Sequence, residues 1–195
     1  VEKRTTGISG LDFALDGGFP IGTSIIAYGS PKTGIDLMAK QFWKPESSSD
    51  EYSYFMLDQN PEGDMIDIRD ENIKLSDIKG QIKGTRIVID SLSSLIQRFK
   101  IKPVLKFIRD DVRPHLDRGA NMFFTLYPGM QEKDEEALVM RATDIFVELR
   151  EQILGNEIER TFIIYRLKGM ATPQRVIPYL ITEKGLELST TTRVV

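Results

Sequence analysis

Apolar positions in this chain fall into short runs with polar breaks between them, and the runs carry two different periods. Ser24-Ile25-Ile26-Ala27, Tyr52-Ser53-Tyr54-Phe55-Met56-Leu57, Thr85-Arg86-Ile87-Val88-Ile89-Asp90-Ser91 and Met122-Phe123-Phe124-Thr125-Leu126 are nearly continuous. Such runs, too short for helices and rich in β-branched or aromatic residues, predict strands covered on both faces. The run at 85–91 is the clearest and is expected to be central and parallel. Val104, Ile108, Val112 and Leu116 recur every four residues and predict one helix, with Pro103 in its first turn, Gly119 at its end, and Lys106, Arg109, Asp110 and Arg113 on its other faces. Ser9 is the expected N-cap of a short early helix that Gly17-Gly18 stops. Residues 37–42 read as a helix, and 45–50 as a polar connection. Residues 58–61 read as a strand end turning into a loop. Between 62 and 84 a short extended piece near Ile66 to Ile68 and a helix from 77 to 83 are expected, and the acidic stretch 132–136 reads as a loop or helix start. Later strands at 144–150 and 159–166, joined across Leu154-Gly155-Asn156, and at 176–182 and 186–188 around Gly185, form hairpins. Early strands that alternate with helices, followed by hairpins, predict an α/β fold whose sheet is mostly parallel with an antiparallel edge. No internal repeat is visible.

Composition narrows this picture modestly. With 195 residues, 41% hydrophobic and 28% charged, the chain is expected to form one domain, 1–195, with a full core. A net charge of -3 implies no strong pull toward nucleic acid or acidic membranes. There are no cysteines, which rules out disulfides and thiolate zinc sites and fits a cytoplasmic protein. No apolar run approaches the ~20 residues of a membrane span. Val1-Glu2-Lys3-Arg4 has no apolar signal core, and a chain that begins with Val is expected to lack residues upstream.

The candidate chemistry sits in Gly29-Ser30-Pro31-Lys32-Thr33-Gly34-Ile35-Asp36, between a predicted strand and a predicted helix. Its two glycines stand at the spacing of a phosphate-binding loop, G-x-x-x-x-G-K-[ST]. In such a loop backbone N–H groups and the helix N-terminus cradle phosphate, and the lysine reaches the outer oxygens. Here Ile35 takes the lysine position and Asp36 that of the metal-binding hydroxyl. An ionised Asp36 ~4 Å from a phosphate would oppose it by ~4 kcal/mol at an effective dielectric of 20, unless a magnesium ion bridged the two. Lys32, three residues early, either swings toward a phosphate, reaches a neighbouring subunit, or is a solvated loop lysine.

Thr6-Gly7-Ile8-Ser9-Gly10-Leu11-Asp12 followed by Leu15-Asp16-Gly17-Gly18-Phe19-Pro20-Ile21-Gly22, the glycine loop, Val88-Ile89-Asp90-Ser91-Leu92-Ser93, Ala142-Thr143-Asp144-Ile145-Phe146-Val147-Glu148-Leu149, and Arg166-Leu167-Lys168-Gly169 with Tyr179-Leu180-Ile181-Thr182-Glu183-Lys184-Gly185-Leu186 together resemble RecA-superfamily ATPases of the KaiC and RadA kind. The resemblance runs in order along nearly the whole chain and implies a RecA-like three-layer α/β/α core. The stretch between 58 and 90 looks shorter than in that family. The resemblance implies that Asp90 stands at the magnesium-orienting Walker B position, so Asp36 and Asp90 are the candidate metal ligands. It implies that Asp58-Gln59 replaces a pair of glutamates of which one activates water. Asp58 is a shorter base and Gln59 takes no proton. Arg166 and Lys168 stand at a basic pair, in swapped order, that senses phosphate across a subunit boundary. The bland alternatives are strand-end acids and solvated charges.

Loss of the lysine, the hydroxyl and both glutamates leads to the expectation of a pseudo-ATPase that needs no cofactor and acts through a protein partner or self-association, alone or in a ring. One rival is an ATPase that binds Mg-ATP through Lys32, with Asp90 and a trans contribution from Arg166 or Lys168. A second is a RadA-paralogue-like accessory to DNA recombination. The local basic stretch Arg98, Lys100, Lys102, Lys106, Arg109, Arg113 and Arg118 offers that rival little, because Asp110, Asp111 and Asp117 dilute it. His115, the only histidine, and Trp43 are read as structural.

Overall fold

Side chains that alternate between two covered faces decide the architecture. The computed structural model describes residues 1–46, 48–174 and 176–189. Chain order is β1 (Lys3–Arg4), α1 (Ser9–Ala14), β2 (Phe19–Pro20), β3 (Ser24–Tyr28), a short 3-10 turn (Pro31–Thr33), α2 (Ile35–Trp43), β4 (Tyr52–Met56), β5 (Ile66–Asp67), α3 (Leu75–Gln81), β6 (Arg86–Asp90), α4 (Leu92–Phe99), α5 (Ile101–Lys106), a π-helical stretch (Phe107–Asp111), α6 (Arg113–Asp117), β7 (Asn121–Leu126), α7 (Lys133–Ala142), β8 (Ile145–Leu154), β9 (Glu157–Leu167), β10 (Ile177–Thr182) and β11 (Gly185–Leu188). β1 and β2 pair with each other. The other nine strands form one sheet in the order β11-β10-β9-β8-β3-β7-β6-β4-β5. From β5 to β8 every pairing is parallel, and from β8 to β11 every pairing is antiparallel. This is the expected parallel sheet with an antiparallel edge, and β6 lies between two parallel neighbours.

The period of two places successive strand residues on opposite faces. Ile25, Ala27, Tyr54, Met56, Val88, Phe123, Ile145 and Val147 pack with α1 and α2. Ile26, Phe55, Ile87, Ile89, Met122, Phe124 and Phe146 pack with α3 to α7. Helices on both faces give three layers.

Three local expectations need correction. Ser9 is the first helical residue of α1, not its cap; Ile8 holds the cap position without a side-chain bond. Thr6 Oγ1 accepts from the Ile8 amide and Asp12 Oδ1 from the Thr6 amide, so residues on either side close that turn. The helix expected at 77–83 is Leu75–Gln81, because Asp77 lies inside the first turn and reaches back to accept from the Lys74 amide at 2.8 Å. The helix expected through Val104, Ile108, Val112 and Leu116 buries all four residues but passes through π geometry, with the Val112 amide bonded to the Phe107 carbonyl at 2.9 Å. Pro114 has no N–H to offer a carbonyl four residues back. A four-residue repeat also drifts by about 40° per step on a regular helix, and one extra residue in a turn takes up most of that drift.

At the N-terminal end of the parallel strands Arg86 is buried. Its Nε donates to Asp50 Oδ2 at 2.8 Å, Nη1 to the carbonyls of Thr5 and Phe42, and Nη2 to Thr5 Oγ1. Arg4 shares Asp50 at 3.1 Å. The start of the chain, the end of α2 and the connection before β4 are thereby tied to one guanidinium. Arg86→Ala is expected to lower the unfolding free energy by about 3 kcal/mol, since it takes this donor from the Thr5 and Phe42 carbonyls and leaves Asp50 with Arg4 alone. Urea denaturation measures this, and a loss below about 1 kcal/mol would mean water replaces the guanidinium easily.

Candidate functional site

The glycine loop leaves the C-terminal end of β3, the strand flanked by β7 and β8. Its own groups close it. The Thr33 amide and hydroxyl both donate to the Ser30 carbonyl, at 3.0 and 2.7 Å. Tyr179 on β10 donates its hydroxyl to the Thr33 carbonyl at 2.7 Å, and burial pushes that phenol's pKa up. Gly34 has φ +77°, and a Cβ there would lie 3.0 Å from Ile181 and 3.1 Å from Leu186. A Cβ at Gly29 would lie 2.8 Å from Thr33 Oγ1 and 2.9 Å from the Leu149 carbonyl. The Leu149 carbonyl therefore crowds a side chain at Gly29, and the left-handed backbone disfavours one at Gly34. The β10–β11 hairpin is fixed over α2 by Gln41, whose side-chain amide accepts from the Leu186 amide at 2.8 Å and donates to the Leu186 carbonyl at 3.2 Å.

Ile35 is fully buried, in the apolar cluster that also holds Tyr179 and Leu186. Pro31 and Lys32 are exposed, and the Lys32 ammonium has no ion pair among the described residues. Asp36 is half-buried in the first turn of α2. A cleft of about 500 Å³ opens beside Gly29 and Ser30, with Glu148, Arg150 and Glu151 in its walls. Arg150 is bound to Glu148 and to the Tyr165 hydroxyl. Tyr28, at the cleft's edge, donates to Glu136 at 3.1 Å. Burial, then the charge of Glu136, pushes its pKa up to about 12.

Asp90 ends β6 and is buried, and the Asp90–Ser91 peptide is cis. Each of its oxygens accepts a hydroxyl: Oδ2 from Tyr54 at 2.6 Å and Oδ1 from Thr125 at 2.7 Å. Tyr54 lies on β4 and Thr125 on β7, the strands to either side. Burial pushes the Asp90 pKa up against the pull of these two donors, and the charges of Asp58 and Asp36 push it further. Asp58 accepts from Ser91 Oγ at 2.7 Å, and the same Ser91 oxygen accepts from the Ser94 amide at the start of α4. Asp36, Asp58 and Asp90 thus gather at one end of the sheet, yet no group of three or more acids or histidines with metal-holding geometry occurs among the described residues.

Arg166 and Lys168 stand apart from this cluster. Arg166 donates to the Met140 and Thr143 carbonyls at the end of α7. Lys168 binds Asp144 at 2.8 Å, and Asp144 also accepts from the Ser24 amide and hydroxyl. The basic stretch disperses as well: Arg98 donates to the carbonyls of Ile68 and Arg69, and Arg113 pairs with Asp117. Trp43 is buried against Tyr54, with ring centroids 5.0 Å apart. Tyr54, Thr125, Tyr179 and Gln41 complete the site and were not singled out from the sequence. The available signal was Tyr54 itself, since a phenol in a buried strand must find an acceptor.

Two outcomes are expected. The raised pKa of Asp90 means the folded state keeps its proton after the unfolded chain has lost it, so this group's contribution falls as pH rises from 3.8 through the folded value. Asp90→Asn removes that dependence. Its stability relative to the wild-type chain should climb over this window, by at most about 1.4 kcal/mol per pH unit, in urea melts at a series of pH values; a flat difference would contradict it. Tyr179→Phe should cost about 1 kcal/mol and speed amide exchange at Thr33 and Gly34, and unchanged exchange would show that the hydroxyl does not hold the loop.

Comparison with known proteins agrees with the fold. The family model described as "ATPase: KaiC" matches residues 46–193, beyond the glycine loop. The circadian clock oscillator protein KaiC of Picosynechococcus sp. is 25% identical over 233 aligned positions, covering 96% of this chain and 44% of the relative. The chain therefore spans less than half the length of that relative, and the alignment is longer than the chain itself. A UPF0273 protein of Thermotoga maritima is 22% identical, with 95% of each covered. The archaeal flagellar ATP-binding protein FlaH of Sulfolobus acidocaldarius is 25% identical, over 84% of this chain and 85% of FlaH. Among solved structures, the KaiC-like protein of Pyrococcus horikoshii superposes with a TM-score of 0.79 at 19% identity, covering 97% of this chain and 99% of that one. With the RecA-like sheet, the loop after β3 and the aspartate ending β6 in place, the chain belongs to the KaiC family of ATPases.

Proposed function

We propose that this chain is a KaiC-family pseudo-ATPase: it keeps the fold, does not hydrolyse ATP, and works through contacts with a protein partner or with copies of itself. The observation that carries this reading is the fate of the lysine position, where Ile35 is buried in the apolar cluster beneath the β10–β11 hairpin. Three more observations support it. Both oxygens of Asp90 already accept protein hydroxyls, the Thr33 hydroxyl is turned onto Ser30, and Asp36 adds a negative charge at the helix start, where a phosphate would need a positive one. These residues do not fit a magnesium-bound triphosphate, and no hydrolytic step is derived from them.

A second reading has one observation in its favour. Lys32 is exposed and free of ion pairs among the described residues, and FlaH, a relative over most of the chain, is named as ATP-binding. On that reading the chain is an ATPase that binds Mg-ATP through Lys32, with Asp90 as its metal-orienting acid. A trans role for Arg166 and Lys168 would require each to leave its partner on α7 or Asp144.

Thermal unfolding with millimolar Mg-ATP separates the two. The pseudo-ATPase reading expects the midpoint to stay where it is without nucleotide. A ligand at 100 times its dissociation constant adds about 2.7 kcal/mol, so a saturable rise that Lys32→Ala removes would establish the second reading, and phosphate release with ATP would overturn the first.

A further inference from the structure

The opposite end of the parallel strands carries a second recess. A cavity of about 240 Å³ is lined by the loop that leads into β6 and by the turn between α6 and β7, with Lys83, Thr85, His115 and Arg118 as its polar side chains. Its walls are tied to the sheet: the Asn121 amide donates to the Thr85 carbonyl at 2.8 Å and the Ala120 amide to the His115 carbonyl at 3.1 Å. No carboxylate is among the residues that line it, whereas the clefts beside the glycine loop and beside α2 both include glutamates. Neither Lys83 nor Arg118 has an ion pair among the described residues.

Two further details turn a basic recess into a site. Thr85 Oγ1 is buried and makes no hydrogen bond, although buried hydroxyls are normally satisfied. The Arg118 guanidinium lies 3.2 Å from His115 Nδ1. Guanidinium can only donate, so Nδ1 accepts and the neutral ring carries its proton on Nε2. Burial first, then the charges of Arg118 and Lys79, press the His115 pKa below its ordinary value. The recess is therefore lined by two cations, a neutral imidazole and a residue whose hydroxyl has no partner, in a space below the roughly 300 Å³ of a drug-sized pocket.

We propose that this recess binds a phosphate group, as the free ion or as a small phosphomonoester, between Lys83 and Arg118 with the Thr85 hydroxyl as a third donor. The glycine loop lies at the other end of the strands, so the site is independent of whether that loop takes nucleotide.

His115 is the only histidine, so its ring resonances report on this site without ambiguity. The whole chain, isotope-labelled, is titrated with inorganic phosphate and separately with glycerol phosphate, against sodium chloride at matched ionic strength. The expected result is a saturable shift of the His115 signals with phosphate, weakened about tenfold or more by Arg118→Gln, in line with loss of a charge-assisted bond. Thr85→Val, which keeps the shape and removes the hydroxyl, should weaken it too, with an unchanged or higher melting midpoint. Saturation by both ligands identifies an organic phosphate as occupant, and saturation by phosphate alone identifies the free ion. Shifts that grow without saturation and match those in chloride would overturn the proposal, as would a saturable shift indifferent to both substitutions.

Discussion

A carboxylate taken out of water must be met by donors, and the C-terminal end of this sheet is organised by how Asp90 meets its own. Tyr54 and Thr125 reach it from the two neighbouring strands, so one side chain stitches β4, β6 and β7 together at the level where their loops begin. That stitch fixes what surrounds it. Ser91, the next residue, caps α4 and holds Asp58, and Trp43 of α2 packs on Tyr54. In a magnesium site such an acid keeps oxygen lone pairs available to the ion or its waters. In this chain each oxygen of Asp90 accepts a hydroxyl from a neighbouring strand.

The glycine loop is likewise held by the protein's own groups. Thr33 closes on Ser30 and Tyr179 donates to the Thr33 carbonyl, while Gln41 pins the covering hairpin. The Leu149 carbonyl crowds any side chain at Gly29, and a φ of +77° strains one at Gly34. The glycine spacing of this loop therefore has structural reasons of its own, separate from any phosphate.

Much of the fold was legible from the chain. Continuous runs such as Ile87-Val88-Ile89 and Phe123-Phe124 can only sit between two covered faces, which makes the parallel order follow; Glu157 to Leu167, less continuous, goes to the antiparallel side. What escaped was local. The helix Leu92–Phe99 was not expected, although Ser91 caps it at 3.1 Å, because its apolar residues are interrupted by Ser93, Ser94 and Gln97. Ser9 looked like a cap and is not one, since Thr6 and Asp12 reach the same turn from either side. At the site, position was readable and partnership was not. Asp90, Asp58 and Asp36 were identified, and their mutual influence follows from the sheet order. The partners Tyr54 and Thr125 depend on register across strands distant in sequence, which no local pattern encodes.

The π-helical stretch Phe107–Asp111 carries a lesson for comparative work. One residue is looped into the helical path there without a break in the helix, so a relative with an uninterrupted α-helix would match this chain only if a single-position gap were opened inside the helix, where alignment penalties discourage one. Without that gap, every residue on one side of the wide turn would be compared with a neighbour that faces about 100° away, and Leu116 would be set against a solvent position.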